Sequence, residues 1–200
     1  MYLFGVSYFE KTIFKEIFQV VFILYIMTEV FIFSYTSLKN RKNLNKKKGD
    51  KGSCLVLVLG TITIIFLNLF CRKNYLMILP EIMFWIGCAV IIVGIILRLY
   101  SVLTLGRSFT VSVQVDLEQK IIQTGPYRYI RHPAYSGSIL SLIGITLALR
   151  SIIGTIVTIT IIAVIYGYRI RIEEKILENS LKTDYQEYKK NTKRIIPFIW

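Results

Sequence analysis

The side chains best equipped for chemistry lie between Thr124 and Gly137, in the run T-G-P-Y-R-Y-I-R-H-P-A-Y-S-G. His132 is the only histidine of the chain, and two arginines and three tyrosines stand around it, between segments that are almost purely apolar. Its ordinary titration falls near neutrality, so it is a candidate general base as well as a candidate loop-fixing group. A second polar group follows in R-I-R-I-E-E-K-I-L, from Arg169 to Leu177. Four residues apart on a helix, Arg169 and Glu173 share a face and meet, which by itself describes an ion pair on a solvated helix. A third series, Tyr185, Tyr188, Arg194 and Pro197, is aromatic and basic, and suits a tail that folds back over the loop.

Apolar helices must hold these groups. The chain has 200 residues, 54% of them hydrophobic, with a mean hydropathy of +0.56. Several apolar runs approach the length of about 20 residues that crosses a bilayer. The expected fold is an all-α integral membrane protein of about five transmembrane helices. The predicted spans are Ile13–Leu38, Ser53–Cys71, Ile78–Leu105, Ala134–Leu149 and Ser151–Ile170, and the last two form a helical hairpin. Gly125 and Pro126 are turn formers, and Pro133 sits where a helix can begin, because a proline at the first position lacks only an N–H that would be orphaned anyway. Gly106–Arg131 is too polar to cross and contains a β-like patch, Phe109–Val115. The N-terminus lacks the ordered regions of a signal peptide, so the first span is expected to stay. The sequence divides into a three-span region, 1–104, and a second region, 105–200, with the polar loop, hairpin and tail.

Charge orients this layout. Lys39–Lys51 carries seven basic residues and one acid, and basic loops stay on the cytoplasmic side. With that loop inside, 19 of the 25 lysines and arginines fall on inner segments. An outside N-terminus follows, with the 124–137 loop and the tail together in the cytoplasm. The net charge of +13 is explained by topology and attraction to anionic lipid, and calls for no nucleic acid. Glu29 and Arg98 lie inside spans, where charge is costly, and are expected to pair across the first and third helices. Otherwise Arg98 snorkels and Glu29 is protonated or bonded to a hydroxyl such as that of Thr28. Cys54, Cys71 and Cys88 show no metal-ligand spacing and read as small buried apolar residues, so no metal is expected.

G-P-Y-R-Y-I-R-H-P-A-Y-S-G at Gly125–Gly137, R-x-x-x-E-E-x-x-L at Arg169–Leu177 and Y-x-x-Y-x-x-x-x-x-R-x-x-P at Tyr185–Pro197 together resemble the isoprenylcysteine carboxyl methyltransferase family, related to the phospholipid N-methyltransferases. The resemblance covers about residues 105–197. It implies a membrane enzyme with a cytoplasmic pocket for S-adenosylmethionine, built from the last two helices, the loop before them and the tail. Carried over by position, the cofactor contacts are Gln114, Gln119, Lys120, Ile121, Ile122, Tyr127, His132, Pro133, Ala134, Tyr135 and Glu173. The resemblance puts Arg169 on the substrate, and Arg169 and His132 are the candidate catalytic residues.

The chemistry agrees with those types. A sulfonium cofactor wants aromatic faces and a carboxylate, as Tyr127, Tyr135 and Glu173 offer. An ionised carboxylate acceptor needs only a cation, which Arg169 supplies as a fork, whereas a phenol, enol or amine needs a base such as His132. The expected acceptor is lipophilic or prenylated and enters from the bilayer of a bacterial or archaeal cell membrane, among its lipids. Other acceptors are a different lipid or a pyrone. Two other functions are a nicotinamide-dependent membrane reductase, disfavoured by the acidic Glu173-Glu174 pair, and a non-catalytic membrane protein.

Overall fold

A computed structural model of the chain describes residues 9, 11–40, 47–48, 52–71, 78–109, 114–115 and 121–197. Five α-helices carry most of them: α1 (Thr12–Asn40), α2 (Ser53–Cys71), α3 (Ile82–Leu105), α4 (Pro133–Ala148) and α5 (Ile152–Asn191). They stand where five spans are expected. By length and composition α1, α3 and α5 suffice to cross a membrane, while the apolar stretch Leu55–Asn68 of α2 and the whole of α4 are shorter. Large apolar side chains such as Met27, Phe33, Phe66, Ile96 and Val164 stay exposed, as a surface bathed in lipid requires.

The tightest seam joins α3 and α4, which run antiparallel. Glycines recur seven residues apart on both, and a Cβ added to Gly87 would lie 2.7 Å from Gly144 O, one added to Gly94 2.7 Å from Gly137 O. In lipid the hydrophobic effect does not press helices together, so small residues that let backbones touch take over that work. Elsewhere α2 packs antiparallel on α5, with Asn68 Nδ2 donating to Thr158 Oγ1 at 2.7 Å. The first helix runs parallel to α3, with Phe14 stacked on Phe84 at 4.3 Å between ring centroids. Further along the same two helices, Arg98 Nη2 donates to Glu29 Oε2 at 2.8 Å. The pairing expected from the sequence is thus formed, and Thr28 turns its hydroxyl to Leu24 O instead.

Tight turns close the opposite end. Arg150 adopts φ 60°, a left-handed conformation that costs energy for a residue with a Cβ. Two bonds offset it: Leu79 N donates to Arg150 O at 2.9 Å and Arg150 Nε to Leu79 O at 2.8 Å. Ser151 then caps α5, its hydroxyl accepting from Gly154 N at 3.0 Å.

The fifth helix continues past its apolar run, as the Arg169–Glu173 spacing implies, and reaches Asn191, with a break at Lys182 (φ 43°, ψ −115°). Of the β-like patch, only Gln114–Val115 is a strand among the described residues: β2, antiparallel to β1 (Lys47–Lys48), with Lys48 opposite Gln114.

Candidate active site

The polar loop is fixed on three sides. Gly125–Arg128 forms a 3-10 turn, with Gly125 at φ 57°, a left-handed conformation that favours glycine, and a Cβ there would lie 2.9 Å from the Tyr100 hydroxyl. Pro133 opens α4, with His132 just before it at the cap. The tail then runs alongside through a parallel bridge, Ile130 to Lys193: Arg131 N donates to Lys193 O at 2.7 Å, His132 N to Arg194 O at 2.9 Å and Lys193 N to Tyr129 O at 3.2 Å. Ser136 Oγ donates to Ile195 O at 2.7 Å, and Tyr188 OH to Tyr127 O at 2.7 Å. The break at Lys182 lets one helix supply both a wall of the bundle and this cover.

Against the loop lies a chain of polar contacts midway along α5. Arg169 is 1% exposed, its Nε donating to Tyr135 OH at 2.9 Å and its Nη1 to Ser53 Oγ at the start of α2. The Tyr135 hydroxyl in turn donates to Glu173 Oε2 at 2.5 Å, while Arg169 Nε stands 3.9 Å from that same oxygen. The i,i+4 pair is therefore a link with a phenol between its charges. The His132 ring stacks on that of Tyr135, 13° from parallel with centroids 5.5 Å apart, and Tyr166 meets Tyr135 edge-on at 5.6 Å.

Glu174, one residue on, serves a different purpose. Burial puts it at 4% exposure, and it receives Arg131 Nε at 3.0 Å and Arg194 Nη2 at 2.9 Å. His132 Nε2 is 3.5 Å from Glu174 Oε1, too far for a good hydrogen bond. Arg131 also donates to Thr192 O. The acidic pair is thus split: Glu174 ties loop to tail, and Glu173 faces the tyrosine.

Tyr127 is 5% exposed. Burial first, and then the negative charge of Glu173, push its phenol well above the ordinary range, so it remains a neutral donor at physiological pH. Two polar atoms beside this cluster, His132 Nε2 and the Tyr185 hydroxyl, are buried without a hydrogen-bond partner among the described residues. Such atoms are costly unless something else bonds them.

Of the residues singled out in the sequence, Tyr127, His132, Pro133, Ala134, Tyr135, Arg169 and Glu173 come together at this end of the bundle. Ile121 and Ile122 are half-buried just ahead of the 3-10 turn. The backbone of Gln114 lies in β2, close to α5. Gln119 and Lys120 fall outside the described residues. Unassigned from sequence were Ser53, Arg131, Glu174 and Tyr185. Arg131, Glu174 and Tyr185 had a signal, as members of the quoted loop and tail motifs, and Ser53 had none.

A family model described as phospholipid methyltransferase matches residues 82–184. The chain is 32% identical over 117 residues to a probable protein-S-isoprenylcysteine O-methyltransferase of Oryza sativa subsp. indica, covering 58% of this chain and 61% of that protein. It is 33% identical over 116 residues to the protein-S-isoprenylcysteine O-methyltransferase of Saccharomyces cerevisiae, covering 57% and 48%. The chain therefore spans about three fifths of the rice protein and half of the yeast one. The solved structure of the eukaryotic intramembrane Ras methyltransferase, an isoprenylcysteine carboxyl methyltransferase, superposes with a TM-score of 0.63 at 22% identity, over 96% of this chain and 70% of that one. That likeness establishes a shared integral-membrane fold.

Proposed function

Because this chain belongs to the phospholipid methyltransferase family, we propose that it is an S-adenosylmethionine-dependent methyltransferase that esterifies the carboxylate of a prenylcysteine-like acceptor at the membrane. The observation that carries this reading is the linked set Arg169, Tyr135 and Glu173, set around a buried Arg169 where an apolar helix becomes polar and beside the loop and tail. The names of the rice and yeast relatives support the acceptor class.

The residues present fit the cofactor. Tyr135 and Tyr127 offer aromatic faces to a cation, Glu173 offers a partly exposed carboxylate with one arginine 3.9 Å away where Glu174 is bonded by two, and the unpartnered Tyr185 hydroxyl and His132 Nε2 can bond a polar ligand. When bound, S-adenosylmethionine supplies a methyl carbon activated by its positive sulfur. This chain's work is alignment and exclusion of water. The Arg169 guanidinium, braced by Tyr135 and Ser53, orients the acceptor carboxylate, which is already ionised at neutral pH and needs no base. Loop and tail close over the polar end of the site, and the acceptor's apolar tail stays in lipid between helices. The inside location of loop and tail follows the distribution of basic residues.

One observation favours a second acceptor class. His132 Nε2, buried, without a hydrogen-bond partner among the described residues and 3.5 Å from Glu174 Oε1, supports this reading as the base that a phenol or amine of another lipid would need.

The test is binding of labelled S-adenosylmethionine to detergent-purified protein, with NADPH as competitor, followed by transfer of label to a synthetic S-prenylcysteine. Saturable binding that NADPH leaves untouched, and base-labile label in the acceptor, uphold the proposal. Displacement by NADPH supports a reductase instead, and label stable to base points to the second acceptor class.

A further inference from the structure

Arg98 spends its whole guanidinium inside the helix bundle. Nε lies 2.5 Å from Glu29 Oε1, Nη2 donates to Glu29 Oε2 at 2.8 Å, and Nη1 donates to Ala134 O at 3.1 Å. Of the two contacts to Glu29 only that of Nη2 is a hydrogen bond, Nε being in ionic contact without a hydrogen-bond partner among the described residues. Together they tether the group to Glu29, and Nη1 meets one carbonyl. That carbonyl belongs to the first turn of α4, between His132, which precedes the helix, and Tyr135, whose ring stacks on it.

A buried ion pair is a poor device for merely holding α1 against α3. Desolvating two charges costs much of what their attraction returns, and an apolar pair of similar volume often holds as well. What an apolar pair cannot do is donate to Ala134. Just beyond, Gly137 presses its backbone on Arg98, where an added Cβ would lie 2.7 Å from Arg98 N. The α3–α4 seam thus locks the second turn of α4 by packing, and the Arg98 bond extends the lock to the first.

We propose that Arg98, oriented by Glu29, is a positioning residue for the candidate site: it sets the first turn of α4, and through that turn the stacked His132 and Tyr135. Its functional consequence rests on the methyltransferase reading above. Its structural consequence does not.

The experiment compares the wild-type protein with Arg98→Gln and with the double variant Glu29→Leu/Arg98→Leu, which removes both charges together and keeps apolar contact between α1 and α3. Hydrogen exchange of the detergent-purified proteins is followed by mass spectrometry, with no ligand present. Exchange at residues 135–138 is expected to quicken about tenfold in both variants, as loss of a charge-assisted bond implies, while α3 and α5 stay within about twofold. In the double variant, with melting temperature held, the dissociation constant of labelled S-adenosylmethionine is expected to rise about tenfold. Unchanged exchange at 135–138 in the double variant overturns the proposal. Faster exchange with unchanged affinity overturns its functional half. If the wild-type protein binds no S-adenosylmethionine while the first turn loosens as expected, the methyltransferase reading falls and the positioning role of Arg98 stands.

Discussion

Tyr135 and Glu173 meet hydroxyl to carboxylate at 2.5 Å across 38 residues of sequence, and the same hydroxyl accepts from Arg169 Nε. The phenol is therefore a relay that holds cation and carboxylate apart. Tyr135→Phe keeps the ring that stacks on His132 but removes the relay. Turnover of labelled S-adenosylmethionine with a prenylcysteine acceptor is expected to fall about tenfold or more, with the melting temperature lowered by only a few degrees. Full turnover in Tyr135→Phe would show that the ring alone matters.

Adjacent glutamates should behave in opposite ways. Glu173 is a quarter exposed at its side chain and bonds the Tyr135 hydroxyl, so Glu173→Ala is expected to weaken cofactor binding and turnover at least about tenfold with little loss of stability. Glu174 is buried between Arg131 and Arg194. Removing it in Glu174→Ala leaves two cations uncompensated and is expected to cost about 3 kcal/mol, read as a lower melting temperature in detergent. Equal effects of the two variants on both readouts would refute the division of roles.

The glycine seam gives a contrast in stability alone. In Gly94→Ala the new methyl would strike Ser141 Oγ at 2.4 Å and the Gly137 carbonyl at 2.7 Å, and backbone cannot swing aside, so a loss of about 1–3 kcal/mol is expected. In Gly60→Ala the conflict is with the Cδ1 end of Ile165, which can rotate to another well at the smaller cost of about 1 kcal/mol or less. Thermal melting in detergent separates the two, and the order reverses if α3 and α4 can part freely.

Sequence pattern sufficed where the determinant is local. Apolar runs located five helices, the spacing of four placed Arg169 beside Glu173, and the tyrosines of the tail announced a segment over the loop. It failed where the determinant is rotation or distance. Each helical residue turns the next by about 100°, and that alone sends Glu174 to the tail and Glu173 to Tyr135, although their letters look like one acidic pair. Ser53 lies 116 residues from its partner Arg169, and nothing in its neighbourhood marks it. The break at Lys182 falls in a stretch free of proline and glycine, so no composition signal stops the helix there. It is the packing of Tyr185 and Tyr188 beneath the loop that calls for it.

The tail offers the most decisive variant, because its role is carried by backbone as much as by side chains. Truncation after Asn191 removes the carbonyls of Lys193 and Arg194 that receive the amides of Arg131 and His132, the Ile195 carbonyl that holds Ser136, and one of the two arginines on Glu174. The five helices keep their own hydrogen bonds, so far-UV circular dichroism should change little. The loop loses its bridge partner, and Glu174 keeps Arg131 but loses Arg194. Affinity for labelled S-adenosylmethionine is expected to drop beyond about a hundredfold, since two or more hydrogen bonds that organise the site disappear together. Supplying residues 192–200 as a peptide should restore part of the binding if the segment only has to be present. A truncated protein that binds as tightly as the full chain would mean that the loop keeps its conformation without the tail.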